Sequence, residues 1–291
     1  MTKTLIPALI YVFLFAQLTL FADLYEGFDF DEEKGTKLGT KKANVGLSSD
    51  GWISSWNIGS GESLVNAKDI YFNSLNSKGG SILLKGERKN DSFFAKGFIY
   101  RQMKNAYNGE IFGSFRIIPG FITDDTVLGM VFYYGKDLSF DKVTPRNGIF
   151  ALLPKRWGSR LGMVGAKGKT YKVPDGVPCE NGKEYLVVWK MSGLPMAGQS
   201  SDVSLSYWVL NSDQVEYFAS KGFEQRLFNL AEPGKTKINV SQFGRKDLKD
   251  TKRSLFKGMF MVPYIYNTTN VQFDEIRIST KSIQDAVGLK K

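Results

Sequence analysis

The stretch Asn270-Val271-Gln272-Phe273-Asp274-Glu275-Ile276-Arg277-Ile278-Ser279-Thr280 constrains the fold more than any other part of the chain. It has the composition of a strand and lies between the turn-like Asn267-Thr268-Thr269-Asn270 and a short helical tail over 282–288. Val271 and Phe273 share one face by alternation, whereas Ile276 and Ile278 share a face in the opposite phase. An unbroken strand would send these two apolar pairs to opposite sides of a sheet. One extra residue near Asp274-Glu275 brings both to one side, so the pattern predicts a β-bulge there. A strand this late must pair with something already laid down, and the expected partner is the other end of the mature chain, 25–30.

The remaining segments follow the same rhythm. Strands are expected over 81–85, 93–103, 110–118, 127–134, 148–153, 160–164, 185–191 and 203–210, separated by Gly, Asn, Asp and Lys clusters. The clearest pair is 185–191 with 203–210. In 110–118, Ile111, Gly113, Phe115 and Ile117 oppose Phe112, Ser114, Arg116 and Ile118. A short helix is expected over 213–218 with Ser212 as its cap. Segment 222–252 is polar and irregular, and Pro263 gives the strand-like 255–266 the character of an edge or a bulged strand. With no βαβ rhythm, the fold class is all-β, an antiparallel β-sandwich with adjacent N- and C-terminal strands and a short C-terminal helix. The chain has 291 residues and is 42% hydrophobic, which supplies a sizeable core. No repeat or low-complexity linker divides it, so 23–291 is expected to be a single domain.

Residues 1–22 address the chain. Lys3 precedes a nearly uninterrupted apolar run over 5–21, and Ala22 offers a small residue for cleavage before Asp23. This is the layout of a secretory signal peptide, although Leu20 is larger than the residue usual at the −3 position. An uncleaved anchor is the alternative, weakened by Pro7, Gln17 and Thr19 within the run. Either way the body is expected outside the cytoplasm, secreted or in a bacterial periplasm or envelope. The single cysteine, Cys179, permits no intramolecular disulfide and reads as a buried thiol.

The histidine count of zero removes every Ser-His-Asp or Cys-His machinery, His-ligated zinc and any His general base. A net charge of +10 suits anionic partners. Export argues against nucleic acid and leaves acidic polysaccharide or envelope surfaces, with no membrane contact expected beyond the signal segment.

Several of these landmarks together resemble the concanavalin A-like lectin/glucanase jelly roll, in the LamG-like form of secreted bacterial proteins. They are Tyr25-Glu26-Gly27-Phe28-Asp29-Phe30, then Gly51-Trp52 with Trp56, the strand pair 185–191 and 203–210, and the closing Phe273–Ser279 segment followed by a short helix containing Asp285. The resemblance spans nearly all of the mature chain and implies the jelly-roll fold. It also implies carbohydrate or protein binding, with glycan cleavage in some members, but a shared fold does not fix the activity.

Retaining glucanases resembling this fold carry a Glu-x-Asp-x(x)-Glu strand, since the reaction needs a nucleophile and an acid/base carboxyl on one face. No strand here has such a cluster. Glu26 and Asp29 fall on opposite faces, as do the adjacent Asp274 and Glu275, and the expected role of Asp274-Glu275 is to occupy the bulge and pair with Arg277 or a backbone amide. No catalytic residue is therefore assigned. No cofactor is expected either, calcium being left open at Asp124-Asp125, where turn chemistry explains the pair equally well.

For a sugar binder the aromatic residues matter most, because the apolar face of a pyranose stacks on them. Trp157 lies in a Pro/Gly-flanked connection with Arg156 beside it and Arg160 three residues on, a set suited to a ring bearing carboxylate or sulfate. The ordinary alternative is a loop Trp folded back on the core. Trp208 alternates with Ser204 and Ser206 and is a further ligand-facing candidate, against core packing on the second sheet. Trp52 and Trp56 are expected to plug the end of the sandwich, and the basic run 245–253 to form a solvated loop. The sequence thus favours a non-catalytic, lectin-like carbohydrate binder, with acidic polysaccharide or glycoconjugate as partner. A carbohydrate-active enzyme with a carboxylate or Tyr/Lys/Arg site, and a cell-envelope interaction module, stay open beside it.

Overall fold

In segment 109–119 the residues of both alternating sets are buried, so this strand must be covered on its two sides. The computed structural model of the chain shows how. It describes residues 24–28, 51–52, 56–60, 62–66, 68–77, 80–88, 95–104, 107, 109–120, 127–134, 151–153, 162–164, 170–171, 180–194, 202–230, 234–239, 259–266 and 270–290. In chain order the strands are β1 (Leu24–Glu26), β2 (Asn57–Ser60), β3 (Glu62–Asn66), β4 (Ser81–Lys85), β5 (Glu87–Arg88), β6 (Ala95–Gln102), β7 (Gly109–Pro119) and β8 (Val127–Tyr134). They continue as β9 (Ala151–Leu153), β10 (Gly162–Val164), β11 (Thr170–Tyr171), β12 (Tyr185–Leu194), β13 (Asp202–Asn211), β14 (Gly234–Asn239), β15 (Met259–Tyr266) and β16 (Asn270–Ser279). The helices are α1 (Ser212–Ala219), α2 (Phe223–Leu230) and α3 (Ile283–Val287).

The protein is an all-β sandwich of two antiparallel sheets. The first has the order β14-β13-β12-β7-β16-β4-β3, with β1 also on β16; the second has the order β11-β10-β9-β8-β15-β6-β2, with β5 on β6. First and last strands pair as expected, with Leu24 opposite Ile278 and Glu26 opposite Ile276. The bulge is also where expected. Asp274 faces Arg116 across the ladder, but Arg277 faces Ser114, so β16 carries one residue more than β7 between those points. The extra residue restores the parity of Val271, Phe273, Ile276 and Ile278, all of them buried.

That face of the first sheet looks into the sandwich. Phe273 meets Phe115 at 6.2 Å, and Val187 and Trp189 lie opposite Phe115 and Gly113 on the same side. The indole of Trp189 runs across Gly113, where any Cβ would collide with it. The opposite face is covered too: Phe112, Leu186, Val188, Trp208 and Leu210 form one cluster with Val215 and Phe218 of α1, Phe223 and Leu227 of α2, and Ile283, Ala286 and Val287 of α3. Ile70, Phe72 and Leu75 join it from the 68–77 strap. Burial on two faces explains why β12 reads as an almost continuous apolar run.

Three expectations need correction. The cap of α1 is Asn211 rather than Ser212: its side chain accepts from the Gln214 N–H while Gln214 accepts from the Asn211 N–H, a capping box. Segment 222–252 contains α2 and β14, with Phe223 and Leu227 spaced to share one helical face. Pro263 sits in a central strand, not at an edge, since β15 lies between β8 and β6. Its ladder with β6 skips from Met261–Arg101 to Tyr264–Phe98, so the missing N–H falls in a gap while Pro263 still lies opposite Met130 of β8. No helix among the described residues is long and apolar enough to cross a membrane.

Candidate functional site

The bulge in β16 gathers the densest set of charged side chains among the described residues. Pairing with β4 ends at Phe273, and pairing with β1 starts at Ile276, so the strand's edge changes partner at Asp274-Glu275. Glu275 has φ 48°, a left-handed conformation uncommon for a residue with a side chain. Asp274 Oδ1 accepts from the Glu275 N–H at 2.7 Å and Oδ2 from the Ile70 N–H at 2.8 Å. Glu275 Oε2 accepts from Arg277 Nε at 3.1 Å and Nη2 at 2.5 Å, and Oε1 accepts from the Tyr25 hydroxyl at 2.8 Å. The Arg277 guanidinium lies 4.4 Å from the centre of the Tyr25 ring.

From β7, Arg116 reaches the strap, donating to Ile70 O and Asn76 O at 2.6 Å and to Ser77 Oγ at 3.0 Å. Ser77 Oγ in turn donates to Asp69 Oδ2. Asp69, Asp274 and Glu275 bring one oxygen each within 4.8 Å of one another. Burial holds the Asp274 carboxyl well above the usual range, helped by its hydrogen bond with Asp69 and by the charges of Glu275 and Asp69. Burial, then the Glu275 charge, likewise pushes the Tyr25 phenol up. With Glu275 paired to Arg277 and both Asp274 oxygens on backbone amides, the set serves to fasten the strap to the sheet. This is in keeping with the expected role of Asp274-Glu275, to occupy the bulge and pair with Arg277 or a backbone amide.

A second charged group joins the two sheets. Glu26, 1% exposed, points inward from β1 and pairs with Arg101 of β6. Its other donors are the Trp56 indole and the Phe28 N–H, each at 2.9 Å. The Arg101 guanidinium lies 4.7 Å from the Trp52 ring centre and 6.0 Å from that of Trp56. Trp52 donates to Tyr25 O at 3.0 Å. The two tryptophans therefore plug the sandwich, as their spacing suggested. Burial pushes the Glu26 carboxyl up, while Arg101, Trp56 and the Phe28 amide all pull it back down. None of these buried charges was singled out from the sequence except Asp274, Glu275, Arg277 and Glu26. The available signal was a basic residue within an apolar strand, Arg116 in β7 and Arg101 in β6, since such a charge needs a buried partner.

Of the candidate ligand residues, Trp208 is 3% exposed and packs 5.5 Å from Phe228, beneath the helices. It offers no ring face to a ligand. Alternation with serines correctly put it on one side of β13, but that side is the helix-covered one and not the face toward the second sheet. Arg156, Trp157 and Arg160 lie outside the described residues, as do Asp124-Asp125, Cys179, the basic run 245–253 and the segment 1–22. Their strand neighbours are described: β9 and β10 pair antiparallel with Leu153 opposite Gly162.

No protein-family model and no curated protein matches the chain. Among solved structures it is similar to a family 131 β-glucanase catalytic domain from Podospora anserina, at 11% identity and TM-score 0.43 over 78% of this chain and 82% of that one. It is also similar to a family 16 glycosyl hydrolase from Mycobacterium smegmatis, at 11% identity and TM-score 0.37 over 88% and 99% of the two chains. An alginate lyase from Pseudomonas aeruginosa matches at 13% identity and TM-score 0.35 over 73% and 86%. Likenesses this weak transfer no activity, and any functional reading rests on the residues.

Proposed function

We propose that the protein is an exported, non-catalytic carbohydrate-binding sandwich that grips acidic polysaccharide through Trp157 flanked by Arg156 and Arg160. The observation carrying this reading is the contrast between the two sheets. The outer face of the first is covered over β7, β12 and β13 by three helices and the strap, and this reading assigns recognition to the second. The connection bearing Arg156, Trp157 and Arg160 joins the antiparallel neighbours β9 and β10 of that second sheet. Net charge +10 suits an anionic glycan, and the absence of histidine removes the commonest general base. The buried acids Glu26, Asp274 and Glu275 are all held by partners within the frame.

A glycan array on residues 23–291, at low and high salt and with and without calcium, tests the reading. Binding confined to uronic or sulfated glycans, weakened by salt and by Trp157→Ala, is expected. A blank array under every condition overturns it in favour of an envelope-interaction module. New reducing or unsaturated ends on any bound glycan overturn the non-catalytic part.

A further inference from the structure

The strap 68–77 closes one side of the apolar layer over the first sheet, since Ile70, Phe72 and Leu75 are buried in it. Its fastening is polar and unbalanced. Two guanidiniums, Arg116 and Arg277, meet three carboxyls, Asp69, Asp274 and Glu275, around the bulge. Glu275 and Arg277 satisfy one another, which leaves Arg116 as the remaining cation for two aspartates. Asp69 Oδ2 accepts from Ser77, but Asp69 Oδ1 is buried and meets no donor among the described residues, and the Asp69 and Asp274 carboxyls bring oxygens within 4.8 Å of one another. Two ionised carboxylates in that contact would repel in a poorly solvated site. One proton supplies the missing donor and brings the group to neutrality. A divalent ion would overshoot it.

We infer that Asp69 and Asp274 share one proton in the folded protein, so that the strap is a clasp fastened by protonation and weakened as pH rises. The groups facing Asp274 are Asp69 from the strap, Arg116 from β7, Tyr25 from β1, and Glu275 and Arg277 from its own strand. The acidic neighbours oppose a second negative charge, and the upward displacement of the Asp274 carboxyl is in line with this. The sign follows. The folded form holds a proton that the unfolded chain has released, so stability falls as pH rises from the ordinary carboxylate range to the raised folded value, and stays at the lower level above it.

The test is the melting temperature of the full chain from about pH 5 to about pH 8 in EDTA, wild type against Asp69→Asn. The amide introduced by this substitution can donate where the shared proton did. Asp69→Asn should therefore lose one proton's share of the decline and melt higher than wild type at the alkaline end; the share due to Glu26 should persist. Equal slopes in the two proteins overturn the inference. So does a wild-type melting temperature at alkaline pH that rises with calcium and falls with EDTA, because a cation then fills the role. Should Asp69→Asn fail to fold, carbon NMR of aspartate-labelled wild type decides alone. It must show an aspartate carboxyl still titrating well above the ordinary range, and its absence overturns the proposal.

Discussion

The protein buries charge in two places, and they are built on opposite principles. Inside the sandwich, Glu26 meets one guanidinium, one indole N–H and one backbone N–H, and every neighbour favours its ionised form. At the bulge, Asp274 meets two backbone amides but also two acids, so its closest charged neighbours oppose ionisation. The inner group ties β1 to β6 across two sheets, whereas the outer group ties a strap to a sheet edge. A buried pair with matched charges is most sensitive to the loss of one member, even where burial makes its acid respond to pH. A group short of one positive charge tolerates loss of an acid, and its chief response is to pH.

The largest effect should come from breaking the inner pair. Arg101→Met leaves Glu26 buried and without its counter-charge, and should cost about 3–5 kcal/mol in urea unfolding. Adding Glu26→Gln to that variant should recover part of the loss, because the uncompensated charge is gone. A double variant no better than Arg101→Met would show that the guanidinium's contact with Trp52 and Trp56 matters more than the charge left on Glu26.

Removing an acid from the outer group should cost less. Asp274→Ala strands the Ile70 and Glu275 N–H groups, a loss of about 1–3 kcal/mol, but it also relieves the contact with Asp69. Hydrogen exchange should localise the damage to 68–77, with β12 and β13 unchanged. Exchange rising evenly across the sheet would mean that the bulge, rather than the strap, depends on Asp274.

The two groups were unequally legible in the sequence. The bulge could be read because parity is a local rule, and two apolar pairs in opposite phase admit one simple repair. The adjacency of β1 and β16 followed from the same stretch. Alternation could not say which face of β13 would be covered, so Trp208 looked available when it lies in the helical layer with Phe228 of α2 against its ring. Pro263 misled because an edge position is one way to accommodate a missing N–H and a gap in a central ladder is another. The acids remote in sequence, Asp69 and Asp274, meet through folding of the strap, which no spacing encodes. Even α2 left a trace: Phe223 and Leu227 stand four apart in a polar segment, one apolar stripe and little else.

The smallest effect sets the scale for the comparison. Glu110 and Lys190 form an ion pair at 2.8 Å on β7 and β12, and Ser192 Oγ also donates to Glu110 at 2.8 Å. The Glu110 side chain is 46% exposed, so water already solvates both charges and salt screens them. Lys190 additionally rests 5.4 Å from the centre of the Phe112 ring and 5.7 Å from that of Phe228, contacts that survive loss of the carboxylate. Glu110→Gln keeps the acceptor for Ser192 and should cost about 0.2–1 kcal/mol, vanishing at high salt. The same measurement in low and high salt on Arg101→Met should show almost no salt dependence. If both variants lost stability equally, and both losses faded with salt, the inner pair would be behaving as a solvated one, and burial would not be what separates them.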